Sequence, residues 1–237
     1  MVTGGDVLVT VSGPHAGEDV PLVDEPQVAE RVFRQMLDEA DRETVEHGGG
    51  LPSEEMWRQA LERLDALREN EATRQKIRIH GDYHLGQTLY AGGEFYMLDF
   101  EGEPARSVNE RRQRDYALRD VVGMLRSLDY AAYAPLTDRG NEDRLAAWAE
   151  RLVHWTTRTF TDAYLRIAEE ADFLLPREAR QPFLWAYLLD KALYEVRYEL
   201  NHRPSWVWLP LIGLHRLLRH PLGLDAPDTL LPEDVTD

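Results

Sequence analysis

Residues 77 to 103 read Ile77-Arg78-Ile79-His80-Gly81-Asp82-Tyr83-His84-Leu85-Gly86-Gln87-Thr88-Leu89-Tyr90, then Ala91-Gly92-Gly93-Glu94, then Phe95-Tyr96-Met97-Leu98-Asp99-Phe100-Glu101-Gly102-Glu103. Alternation at Ile77, Arg78 and Ile79 predicts a short strand, and Gly81 permits a tight bend. Thr88-Leu89-Tyr90 resumes extended structure. Ala91-Gly92-Gly93-Glu94 is turn chemistry, because glycine takes positive φ without a Cβ clash, and Phe95 to Leu98 is the returning strand. The hairpin brings a loop carrying Asp82 and Gln87 back to Asp99 at a strand end. A carboxylate that orients an attacking hydroxyl, with an amide and a second carboxylate for a hard cation, suits phosphoryl transfer. A lone His-Gly-Asp is equally compatible with loop carboxylates that cap backbone N–H groups and with packed imidazoles. The longer pattern His-Gly-Asp-x-His-x-x-Gln, hairpin, Leu-Asp-Phe-Glu is far more specific.

The composition narrows the partners. The 237 residues are 43% hydrophobic and 30% charged, ordinary for a globular chain with one good core or two small ones. A formal net charge of −16 argues against nucleic acid, whose binding needs a basic patch to release counterions. With no cysteine there are no disulfides, thiolate nucleophiles or cysteine metal sites, which fits a reducing compartment. Neither a signal-peptide pattern at Met1 to Pro14 nor a membrane-length apolar run is present, so the expectation is a cytoplasmic protein with no membrane partner.

Around the central stretch the chain reads as mainly helical. Val7 to Val11 is a single strand, followed by a Gly/Pro-rich loop to Pro26. Helices are predicted over 25–47, stopped by Gly48-Gly49-Gly50, and from Pro52 or Ser53 through Leu67, with Ser53 as cap and Glu54 and Glu55 in the first turn. Pro104 to Arg114 is expected to be irregular. Leu118 to about Tyr130 is a buried helix, and a long one follows from about Asn141 to Ala171. Its expected buried stripe is Leu145, Trp148, Leu152, Trp155, Phe160, Tyr164 and Ile167. Another helix is expected from Pro182 to Leu200 and a closing one from Leu209 to Arg219. Residues 222–237 form an acidic, proline-broken tail.

In the Pro182 to Leu200 helix, Lys191, Glu195, Glu199 and Arg203 lie four apart, and Tyr194 and Tyr198 form the adjacent stripe. Residues at i and i+4 share a face, so this is either a self-neutralising surface ladder or a sugar-binding wall of carboxylates and aromatic rings. Residue types alone do not separate the two.

These motifs resemble the protein-kinase-like small-molecule kinases that include aminoglycoside and choline phosphotransferases. His80 to Gln87 with Asp99-Phe100-Glu101-Gly102-Glu103-Pro104-Ala105-Arg106 is similar to the bacterial maltokinases, including the form fused behind trehalose synthase. The similarity continues through Leu118 to Tyr133 and from Asp190 through Trp206. The resemblance implies a kinase-like carboxy-terminal lobe, mainly α with a small β-hairpin, over residues 27–221, with 1–26 as a strand and loop left from a linker. It implies an ATP- and Mg²⁺-dependent transfer to maltose, giving maltose 1-phosphate in α-glucan metabolism. Asp82 would be the catalytic base, and Gln87 and Asp99 the metal ligands. His80, His84 and Asp120 would support the loop. Tyr194, Glu195, Tyr198 and Glu199 would form the sugar wall.

One expected part is missing. Such kinases grip the nucleotide phosphates with a lysine on a strand of an amino-terminal lobe. Here the lysines are Lys76 and Lys191, neither in that setting, so the nucleotide lobe is expected to be absent from this chain. A separate amino-terminal lobe or a trehalose synthase is then a candidate partner. Two alternatives stay open: a kinase of the same fold for glucosamine or an aminoglycoside, and a truncated sugar-binding module without catalysis.

Overall fold

Helix α3 (Leu118–Tyr133) is the element on which the others are assembled, because it is apolar around much of its circumference. Val121, Val122 and Leu125 are almost fully buried, each worth about 1.5–3 kcal/mol when taken out of water. The computed structural model of the protein describes residues 8–10, 19–21, 49–68, 75–103, 107–138 and 142–219. Within them lie α1 (Glu54–Arg68), α2 (Val108–Arg111), α3, α4 (Glu142–Ala168), α5 (Arg177–His202) and α6 (Trp208–Arg219). Helix α3 packs on α5 and α4, α5 packs on α6, and α1 closes over α6 and α5.

The main core gathers Trp57 of α1 and Val121, Val122 and Leu125 of α3 with Leu184 and Leu189 of α5 and Leu211 and Leu214 of α6. A second, smaller core holds Tyr133, Leu136, Ala149, Val153, Trp208 and Leu209 where α3, α4 and α6 meet.

The sheets are small. Leu8–Thr10 (β1) pairs antiparallel with Asp19–Pro21 (β2), and Thr88–Ala91 (β3) pairs antiparallel with Glu94–Met97 (β4). The β2 strand falls in the segment expected to be loop; a proline is tolerated there because a two-stranded pair consists of edge strands. In the second hairpin Gly92 and Gly93 both have positive φ, 62° and 87°, as the tight two-residue connection requires.

Several boundaries differ from expectation. Ile77 makes an isolated antiparallel bridge to Asp115, with both N–H···O contacts at 3.0 Å, in place of a three-residue strand. Residues 108–111 form α2 in the segment expected to be irregular. Helix α5 starts at Arg177, so Pro182 lies inside it, where one missing N–H removes a single ladder bond. On α4 the expected stripe is only partly buried: Trp148 is 68%, Leu152 52% and Ile167 85% exposed. The small residues Ala149, Val153, Thr161 and Ala168 face inward instead, because close helix packing on α3 favours them. The helix expected over 25–47 and the tail 222–237 lie outside the described residues.

Candidate functional site

The loop between Ile79 and Thr88 is fixed by bonds to α3. Asp120, in the first turn of α3, accepts the His80 N–H on Oδ2 at 2.7 Å and the Gly81 N–H on Oδ1 at 2.8 Å. Burial pushes the Asp120 carboxyl above its ordinary range, opposed by those two N–H donors. Gly81 has φ 82° and sits against the Gly102 backbone, so a side chain there would be both strained and crowded. Gly123 of α3 lies against the Tyr83 carbonyl oxygen, which a Cβ would overlap. These contacts set the loop directly on the helix.

His80 is buried, and its Nε2 lies 2.6 Å from the Leu98 carbonyl oxygen, which makes Nε2 the donor. Its ring packs on Phe100 at 4.8 Å between centroids. His84 opens the short 3-10 turn Leu85–Gln87 and accepts the Gly86 N–H on Nδ1 at 3.0 Å. Its proton is therefore on Nε2, which faces Asp82 Oδ2 at 3.9 Å.

Gln87 and Asp99 meet at the mouth of the hairpin. Gln87 Nε2 is 3.3 Å from Asp99 Oδ2, and Leu98 donates its N–H to the Gln87 carbonyl at 2.9 Å. Asp99 has φ 57°, a left-handed conformation that aspartate tolerates better than most residues. Turning the Gln87 amide over would point two oxygens at one place. That donor set fits Mg²⁺, which takes one or two protein oxygens and completes its shell with water and phosphate. Among the described residues there is no group of three or more His, Cys, Asp or Glu placed to hold a metal.

Helix α5 meets the far end of the motif at Glu103. Tyr194 hydrogen-bonds Glu103 and feels the charge of Asp82; burial first, then Glu103, pushes its phenol well above the usual range. Lys191 Nζ lies 3.6 Å from Glu103 Oε1 and 4.6 Å from the Tyr194 ring centroid. Glu195 is held by Arg126 through a single oxygen, Oε2, with Nε at 2.8 Å and Nη2 at 2.7 Å. Tyr194, Tyr198 and His202 stack in sequence along the helix. Glu195 keeps a little of its side-chain surface in contact with solvent, and Glu199 keeps almost none. Glu199 is 1% exposed, and Arg203 and Tyr130 occupy both of its oxygens.

Sequence reasoning did not single out Glu103, Arg126 or Ser127. Arg126 carried a legible signal, since an arginine set between Leu125 and Leu128 in an apolar stretch of α3 needs a buried partner. Asp129 at 2.5 Å and Glu195 provide it, and they hold the guanidinium charged although burial works against the charge. Arg216 also pairs with Asp129. Lys76 pairs with Asp115 at 3.8 Å, so both lysines of the chain have acidic partners.

Residues 5–102 match the family described as "APH: Phosphotransferase enzyme family". The chain is 35% identical over 159 residues to a glucosamine kinase of Streptacidiphilus jiangxiensis, covering 65% of this chain and 34% of that one. It is 33% identical over 140 residues to a glucosamine kinase of Mycolicibacterium smegmatis, covering 59% of this chain and 34% of that one. A solved glucosamine kinase in complex with glucosamine, ADP and inorganic phosphate superposes with TM-score 0.58 at 27% identity, over 82% of this chain and 46% of that one. Another, in crystal form B, gives TM-score 0.57 at 26% identity, over 82% and 48%. The chain thus spans about a third of the curated relatives' length and just under half of the solved ones'. No helix among the described residues is long and apolar enough to cross a membrane. In sequence and in fold the chain is similar to these glucosamine kinases over the stretches given, and its residues 5–102 match the phosphotransferase enzyme family.

Proposed function

We propose that the chain carries the acceptor and metal side of an ATP- and Mg²⁺-dependent kinase for an amino sugar of the glucosamine type. The relatives named above favour this amino-sugar acceptor over maltose. The observation that carries the reading is the Glu195 carboxylate, which Arg126 holds through Oε2, leaving Oε1 without a bond to that arginine. A carboxylate fixed in this way can accept from a ligand ammonium while its own position stays set. Tyr194 and Tyr198 complete the wall, and Glu199 braces it from behind through Arg203.

Asp82 orients the acceptor hydroxyl and takes its proton as the oxygen attacks the γ-phosphorus and the bond to ADP breaks. Gln87 and Asp99 hold Mg²⁺, which supplies charge to the phosphate oxygens when bound.

Calorimetric titration with glucosamine, maltose and Mg²⁺-ATP, followed by ADP release, tests the reading. Glucosamine is expected to bind more tightly than maltose, and Glu195→Gln to remove that preference. Asp82→Asn is expected to abolish any turnover while leaving sugar affinity nearly unchanged. A maltose preference would overturn the acceptor, and retained turnover in Asp82→Asn would overturn the base.

A further inference from the structure

Ser127 lies on α3 seven residues after Asp120 and four after Gly123, a spacing that puts all three on one stripe of the helix. The first two meet the loop at His80, Gly81 and Tyr83. Ser127 meets it further on: its Oγ accepts the Leu85 N–H at 2.9 Å. Leu85 opens the 3-10 turn that ends at Gln87, and the first N–H groups of any helical turn have no partner inside it. His84 Nδ1 takes the Gly86 N–H, and Ser127 takes the Leu85 N–H. From Leu85 the turn leads to Gln87, whose carbonyl is bonded to Leu98 N–H and whose amide reaches Asp99.

We infer that Ser127 is a positioning residue for the metal-side turn, holding Gln87 in register with Asp99 through the Leu85 N–H without touching the ion. The inference rests on the reading of Gln87 and Asp99 as metal ligands. The neighbouring Arg126 reaches Glu195, so consecutive residues of α3 hold the two sides of the proposed site.

Mn²⁺, a hard cation that suits the same oxygen donors, serves as the probe, with binding followed by electron paramagnetic resonance on the full chain. Ser127→Ala is expected to weaken Mn²⁺ binding about fivefold, the equivalent of one lost hydrogen bond, while glucosamine affinity stays unchanged. Ser127→Thr keeps the hydroxyl and is expected to bind as the parent does. Should alanine unfold the chain, Ser127→Val against Ser127→Thr carries the same comparison at equal side-chain size. Equal Mn²⁺ affinity in parent and Ser127→Ala, or in the valine and threonine pair, with Asp99→Asn weakened, overturns the positioning role and leaves the metal reading standing. A parent chain that binds no Mn²⁺, or Asp99→Asn that binds as the parent does, overturns the metal reading and this inference with it.

Discussion

Asp120 Oδ2 accepts the His80 N–H at 2.7 Å, and its Oδ1 accepts the Gly81 N–H at 2.8 Å, so one carboxylate closes a 40-residue separation between loop and helix. Hydrogen bonds to a charged acceptor are worth more than neutral ones, and breaking them leaves part-buried backbone donors unpaired. Asp120→Ala is expected to destabilise the chain by about 2–3 kcal/mol in urea unfolding, and Asp120→Asn, which keeps one acceptor oxygen, by less.

Gly123→Ala sets two effects against each other. Alanine in a helix interior is favoured over glycine by about 1 kcal/mol. The new Cβ would overlap the Tyr83 carbonyl oxygen, which belongs to backbone and cannot swing aside. Overpacking of that kind costs about 1–3 kcal/mol, so a net loss of thermal stability is expected, together with weaker Mn²⁺ binding as the loop is displaced.

Asp99 combines a left-handed backbone with the position proposed for a metal ligand. Asn tolerates that conformation and Val does not. Asp99→Asn is therefore expected to melt close to the parent while losing divalent-ion affinity, and Asp99→Val to lower both. Circular dichroism melting beside a Mn²⁺ titration separates the two outcomes.

His215 of α6 bonds the Gly50 carbonyl through Nε2 at 2.9 Å and is 7% exposed. Burial, with Arg219 adding to it, pushes the imidazole below its ordinary 6.5. As pH falls, the unfolded chain takes up this proton before the folded one, so the stability present above 6.5 is lost as pH drops through the lower folded value. The urea midpoint is expected to fall between pH 7 and pH 5, with a smaller fall in His215→Gln.

Much of the fold was legible because its signals are local. Helical periodicity placed α1, α3, α4 and α6 within a few residues, and Gly92-Gly93 marked the hairpin turn. The pattern His80-Gly81-Asp82 to Asp99 marked the candidate loop, and its reading as phosphoryl-transfer chemistry drew on the resemblance to small-molecule kinases as well as on residue types and spacing. Tertiary structure decided how each side chain is partnered. Glu195 and Glu199 are equivalent in sequence, four apart on one face, yet one lies against Arg126 through a single oxygen and the other is enclosed by Arg203 and Tyr130. The same holds for Trp148 and Ala149: helix periodicity favoured the tryptophan for the core, and close packing of α4 on α3 selected the alanine. Partners some 69 residues away, such as Arg126 for Glu195, are set by how helices pack, and a local pattern carries no information about that distance.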